Sequence, residues 1–350
     1  MPVTARPDIR PASGPGSQPG GAGTRPGRPG TPPGGPPAPP GGISRWTDID
    51  GPVHYLDFGG PASGPVIVCV HGLGGSAVNW MAVAPLLAGG CRVLAPDLAG
   101  HGLTRAGQRG TGVAANRALL HRFTASVSAE PVILMGNSMG GMISLLEASA
   151  APAAVAGLIL VDPALPVVAA RPDPLAAAMF VLYLTPGLGR AVMARRRRLT
   201  SEQFVASVLG LCCVDPSRVT ADVIARHLKV ADQRAGFASA ERDFTAALRS
   251  VIATASYPGR RAYRRQIGSV TCPVLLIHGT GDRLVPVAAA RAAARANPSW
   301  SLAEIAGVGH VPQLEAPAAT ARVITGWLRS AGRRAAAAAT PGAAGGTGRP

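Results

Sequence analysis

The chain has 350 residues, 47% of them apolar and 15% charged, with a net charge of +16 and five cysteines. That is enough apolar material for a sizeable core, and it excludes a mini-protein, a fibre and a paired disulfide framework. Nucleic-acid binding is not expected from the charge: no aromatic stripe interleaves with the basic residues, and one Lys, Lys229, against 33 Arg with abundant Ala and Gly fits a GC-rich coding bias.

In chain order, the first 42 residues include 24 Pro or Gly and show no apolar periodicity. They cannot bury enough surface to offset chain entropy and are expected to form a disordered tail. No apolar run follows the first Arg residues, so no secretory signal is expected. Cys69 and Cys272 lie in or beside strand-like runs and fit a reducing, cytoplasmic setting. Short, nearly continuous apolar runs then recur at 53–58, 66–70, 92–96, 132–135, 158–161, 274–278 and 301–305. Helical patterns lie between them at 80–88, 113–126, 139–150, 287–297 and 317–330. Apolar strands of this kind belong to a sheet covered on both faces, and their alternation with helices predicts an α/β fold with a mostly parallel, doubly wound sheet.

The alternation breaks between residues 165 and 265, where Arg- and Ala-rich helical segments occur without a strand. This interval is expected to be an inserted all-helical cap, acting as a lid over the sheet edge where such folds bind ligands. The predicted layout is a tail at 1–42, a core at 43–164 and 266–331, the cap at 165–265 and a second disordered tail at 332–350. The most apolar stretch, 174–189, is interrupted by Pro186; it is short for a membrane span and long enough for a buried or membrane-surface helix.

Gly136-Asn137-Ser138-Met139-Gly140 runs from a strand directly into a helix. A Ser on such a turn stands exposed at the head of the helix, and the Met139 N–H at that helix N-terminus is a donor for an oxyanion. An ordinary Gly-rich turn gives the same five residues; the strand before and the helix after select the nucleophile reading. A Ser hydroxyl needs a base within reach and an acid that fixes the base's tautomer. Both should follow later strands, and Asp282 and His310 do. Asp162, after the run 158–161, is the alternative acid, with Asp282 preferred. His71-Gly72-Leu73-Gly74-Gly75 should supply the second oxyanion donor, Leu73 first and Gly74 second. His71 and His101 are expected to fix their own loops. His54, His121, His227 and His278 have no Cys, Asp or Glu at metal-ligand spacing, so no metal is expected, and no nucleotide-binding glycine motif supports a cofactor.

These motifs, with Asp97-Leu98-Ala99-Gly100-His101-Gly102 between them, resemble the α/β-hydrolase superfamily across 43–330. The resemblance implies an α/β-hydrolase fold and a Ser138–His310–Asp282 triad. The Gly-Asn-Ser-Met-Gly-Gly form is similar to that of capped esterases, monoacylglycerol lipases and carbon–carbon hydrolases of meta-cleavage products. Epoxide hydrolases and haloalkane dehalogenases carry an Asp where this chain has Ser138. The expected activity is therefore hydrolysis of a small or medium apolar carboxylic ester through an acyl-enzyme. Two alternatives stay open: cleavage of a carbon–carbon bond in a vinylogous diketone, which needs an Arg-bearing site for a carboxylate, and a slow-turnover ligand receptor or partner-binding protein. The apolar run 175–184 suits either substrate contact or cap packing. Arg190 and Arg195 to Arg198 either bind an acidic group or a phospholipid surface, giving weak membrane-surface association through the cap, or form a solvated charge run.

Overall fold

The computed structural model describes residues 41–166, 185, 187–196, 198–256 and 258–339. The expected tail up to residue 40, the apolar run 175–184 and the end of the chain from residue 340 lie outside the described residues, as do Arg197 and the side chain of Arg190. The strands β1 (Ile43–Asp48), β2 (Pro52–Asp57) and β3 (Val66–Val70) come first, followed by a 3-10 turn at Ala77–Trp80, α1 (Ala84–Leu87) and β4 (Arg92–Pro96). Next are α2 (Val113–Val127), β5 (Val132–Asn137), α3 (Met139–Ala150) and β6 (Val155–Val161). Then come the helices α4 (Leu188–Arg196), α5 (Ser201–Cys212), α6 (Ala221–Ala235), α7 (Ala240–Ala255) and α8 (Arg260–Gly268), with no strand between β6 and β7 among the described residues. The chain returns to the sheet with β7 (Val274–Gly279), α9 (Val287–Ala296) and β8 (Ser301–Ile305), and ends in α10 (Pro312–Glu315) and α11 (Pro317–Ala339).

The eight strands form one sheet in the order β1-β2-β4-β3-β5-β6-β7-β8. The pairs β1–β2 and β2–β4 are antiparallel and all later pairs are parallel. Side chains alternate between faces, so each strand feeds two cores. Val68, Val70, Leu134, Leu158, Leu160 and Leu276 pack with Phe123, Met142 and Tyr263 on one face. Ile67, Cys69, Met135, Ile159 and Ile277 pack with Trp80, Ile324 and Trp327 on the other. Burial on both faces is why these strands read as unbroken apolar runs, and each such side chain contributes about 1.5–3 kcal/mol on leaving water.

Three elements differ from expectation for identifiable reasons. The strand β1 gives no apolar signal because it is an exposed edge, with Trp46 55% exposed and leaning on the His54 ring; its pairing with β2 holds it in place. The expected helix 80–88 is split into the turn at Ala77–Trp80 and α1, since Pro85 lacks an N–H and is tolerated only in a helix's first turn. The helix α11 continues to Ala339, beyond residue 332 where a tail is expected, through a run of Ala, the strongest helix former. No helix among the described residues is long and apolar enough to cross a membrane.

Strand order reverses between β3 and β5, because β4 lies outward of β3 while the chain goes on from β5 to β8 on the other side. The loops at the carboxyl ends of β3, β5, β6, β7 and β8 therefore gather at a topological switch point, where open α/β sheets leave a crevice. Every expected site residue lies on one of these loops or at the head of α3.

Candidate active site

Ser138 occupies the turn between β5 and α3 at φ 54° and ψ −118°, a conformation costing a non-Gly residue about 1–3 kcal/mol. Close packing imposes the turn: a Cβ on Gly140 would lie 2.0 Å from Val70 O. Hydrogen bonds hold Ser138 there, its N–H donating to Val161 O at 3.1 Å and its carbonyl accepting from Met142 N at 3.1 Å and Ala164 N at 2.9 Å. All of β5 is buried, yet Ser138 is partly exposed, at the positive end of α3.

The loop after β3 lies against this turn. Gly72 is so near that a Cβ there would be 3.1 Å from Ser138 Cβ. His71 shapes the loop as expected: its Nε2 accepts from Leu98 N at 3.0 Å, which puts the proton on Nδ1, 2.8 Å from Gly72 O. Burial pushes the His71 pKa down and keeps the ring neutral. The Leu73, Gly74 and Met139 N–H groups donate to no described residue, which leaves Met139 and either candidate of the Gly-rich loop as donors near Ser138.

Asp282 lies in the turn after β7. Its Oδ1 accepts from Leu284 N at 2.8 Å and Val285 N at 3.0 Å, and its Oδ2 stands 2.7 Å from His310 Nδ1. Burial acts to raise the Asp282 pKa, but the charge of His310 and its hydrogen bond outweigh that and hold the carboxyl below the usual carboxylate range. With Nδ1 engaged by the carboxylate, Nε2 is the nitrogen left for a hydroxyl proton. Ser138 Oγ makes no hydrogen bond to a described residue; the link between the two loops is Asn137, whose Nδ2 donates to His310 O at 3.0 Å and to Val161 O at 3.0 Å.

Asp162 follows β6 with φ 44° and is fully buried, its Oδ1 accepting from Gly279 N at 2.9 Å. Burial first, and the neighbouring Asp282 charge second, push its pKa well above the carboxylate range, so it stands beside the ionised Asp282 as a neutral acid. The hydrogen bond to His310 belongs to Asp282. Among the described residues, Asp162, Asp282 and His310 form the one group of three metal-capable side chains, with ligand atoms within 4.8 Å of one another. Both Asp282 oxygens and Asp162 Oδ1 already accept hydrogen bonds, from His310 and from backbone N–H groups, which suits them poorly to ligate an ion.

Three of the histidines that have no acid at metal-ligand spacing in the sequence do have one beside them in space. His54 Nδ1 is 2.7 Å from Asp97, His121 Nδ1 is 2.6 Å from Glu147, and His278 Nε2 is 3.4 Å from Asp162. These partners come from elements far apart in the sequence, Asp97 after β4, Glu147 on α3 and Asp162 after β6, so sequence spacing does not reveal them. Of these three acids Asp97 has the most partners: it accepts from Ala77 N at 2.7 Å, Leu103 N at 2.7 Å and His54. Burial raises the Asp97 carboxyl and these bonds, led by that of His54, pull it below the usual range. Asp97→Ala is expected to cost about 3–5 kcal/mol, since the Ala77 and Leu103 N–H groups and a buried histidine lose their acceptor. Chemical denaturation measures this. The contribution is present above the usual carboxylate pKa and is lost as pH falls through the lowered one.

His101 fixes its own loop, Nδ1 lying 3.1 Å from Ala99 O, and burial pushes its pKa down to about 3. Arg234 on α6 donates to Gly100 O at 2.9 Å and Gly102 O at 2.8 Å, pinning the helices between β6 and β7 to this loop. Phe244 on α7 covers Gly74. The Arg196 guanidinium stacks 4.2 Å over Phe204 and 5.1 Å over Phe244, so this member of the basic run is not simply solvated, whereas Arg195 and Arg198 are exposed. Neither Asn137 nor Phe244 is singled out by sequence; Asn137 carries a signal in its place beside Ser138, and Phe244 carries none.

The sequence profile of the alpha/beta hydrolase fold matches residues 65–317. The chain is 33% identical over 258 residues to a pimeloyl-[acyl-carrier protein] methyl ester esterase of Aromatoleum aromaticum, covering 72% of this chain and 94% of that protein. It is 27% identical to a 3-hydroxybutyrate-oligomer hydrolase of Cupriavidus necator, over 75% of this chain and 88% of that one. Among solved structures, haloalkane dehalogenase DbeA of Bradyrhizobium elkani superposes with a TM-score of 0.69 at 22% identity, covering 83% of this chain and 99% of that chain.

Proposed function

The chain belongs to the alpha/beta hydrolase fold family, and we propose that within it the protein is a serine hydrolase that cleaves a small or medium apolar carboxylic ester through an acyl-enzyme on Ser138. The observation that carries this reading is the 2.7 Å bond between His310 Nδ1 and Asp282 Oδ2, on loops tied through Asn137 to the strained Ser138 turn. In the proposed cycle His310 Nε2 takes the Ser138 proton as Oγ attacks the ester carbonyl carbon. The carbonyl oxygen becomes an oxyanion facing the Met139 and Leu73 N–H groups at the head of α3. The intermediate collapses and the C–O bond to the alcohol breaks, the alcohol leaving with the proton from His310. Water, deprotonated by the same histidine, then attacks the acyl carbon and releases the acid with Ser138 restored. The methyl ester esterase relative supports an ester with a small alcohol portion.

A second reading, cleavage of a carbon–carbon bond in a vinylogous diketone, is favoured by Arg196, which stacks on the ring that covers Gly74 and could meet a substrate carboxylate. Hydrolysis of p-nitrophenyl esters of graded acyl length distinguishes the two. The ester reading predicts turnover with an optimum among short and medium chains. Absence of turnover across the series, with consumption of the diketone, would replace it with the second.

A further inference from the structure

Among the described residues, the loops carrying Asp282 and His310 meet the cap at the last turn of α5 and the residues that follow it. A helix leaves its final carbonyls without partners. Arg283, the exposed neighbour of Asp282, donates to Gly210 O, to Leu211 O at 3.3 Å and to Cys213 O at 3.3 Å, a cation at the negative end of α5. The His310 N–H donates to Cys212 O at 2.6 Å. The two segments run so close that a Cβ on Gly309 would lie 2.2 Å from that same oxygen.

Glu315, 3% exposed on α10, closes the arrangement. Its Oε2 accepts from Gly309 N at 2.7 Å and Val214 N at 3.2 Å, and its Oε1 accepts from Asp215 N at 2.9 Å, with Arg218 Nη1 at 3.5 Å. One carboxylate thus binds backbone N–H groups from both the His310 loop and the end of α5. Beneath it, Val205, Leu209 and Cys213 pack with Val311 and Leu314 in an apolar cluster separate from the two sheet cores. His310 is consequently held on both sides of its backbone, by Cys212 O at the N–H and by Asn137 at the carbonyl.

We propose that Glu315 and Arg283 are positioning residues that set the backbones of His310 and Asp282 through the C-terminal end of α5, so that the cap helps to hold the triad as well as to cover it. This rests on the roles given above to Ser138, His310 and Asp282. Neither side chain touches substrate. Each acts on the orientation of the base relative to Ser138, and a misplacement of about 1 Å there costs as much as a hundredfold in rate.

The test is Glu315→Gln and Arg283→Ala in the full chain. The Gln amide replaces one accepting oxygen with a donor and opposes an N–H it should receive. In both variants kcat is expected to fall roughly tenfold to a hundredfold with KM held within about twofold. The low-field proton NMR signal of His310 Nδ1–H, bonded to Asp282, should shift or broaden. Arg283→Lys, which keeps a cation at the helix end, should recover part of the loss. Folded variants with wild-type kcat, an unchanged signal and only a lower Tm would overturn the proposal. If Glu315→Gln does not fold, Arg283→Ala decides by the same criteria. If the wild-type protein turns over no ester, the NMR signal alone decides, which separates failure of this inference from failure of the hydrolase reading.

Discussion

Ser138→Ala and His310→Ala are each expected to lower kcat for an activated ester by about 10⁴- to 10⁶-fold, and the double variant should be no worse than the poorer single one. The reason is that the two side chains act as one unit: without the imidazole the hydroxyl has no base, and without the hydroxyl the base has no proton to take. Ser138 is held at φ 54° by bonds from its own backbone, so losing the hydroxyl leaves the turn and the N–H groups of Leu73 and Met139 in place. The residual rate then reports binding and oxyanion stabilisation alone. Steady-state hydrolysis by the folded variants measures this. Losses that multiply in the double variant would show that Ser138 and His310 contribute separately and would contradict the mechanism.

The second large effect separates two carboxyls only a few bonds' reach apart. Asp282→Asn is expected to lower kcat by about 10⁴-fold, because an amide facing Nδ1 stabilises the wrong tautomer of His310. Asp162→Asn should stay within about tenfold of wild type, since Asn is neutral like the protonated acid it replaces, still accepts from Gly279 N, and tolerates a positive φ. The two also differ in stability against pH. Asp162 keeps its proton in the folded chain where the unfolded chain has lost it, so folding stability declines as pH rises above about 4, up to the raised folded value. Asp162→Asn removes that decline and gains on wild type toward neutral pH; Asp282 has the opposite sign, its contribution being lost as pH falls through its lowered value. Denaturation midpoints across pH check both. An Asp162→Asn variant that loses activity as Asp282→Asn does would reverse the assignment of the acid.

The residues legible in the sequence are those whose chemistry forces a local pattern. Ser138 needs a tight turn between a buried strand and a helix, and the glycines that permit it are visible as letters. Asp282 and His310 follow apolar strands, which locates them on the same sheet edge. What escaped detection works through the backbone across long separations. Glu315 receives N–H groups from Val214 and Asp215, Arg283 reaches the carbonyls of α5, and Asn137 bonds a carbonyl of the His310 segment. Any residue can supply those backbone groups, so no composition records them. The strand β1 was invisible for a related reason: an edge held by ladder hydrogen bonds needs no apolar alternation.

Covalent labelling with a fluorophosphonate followed by peptide mapping tests whether Ser138 is an activated nucleophile. A single adduct on Ser138 is expected in the wild-type protein, none in Ser138→Ala, and greatly slowed labelling in His310→Ala. Folded wild-type protein that takes up no label, or an adduct that persists in Ser138→Ala, would contradict it.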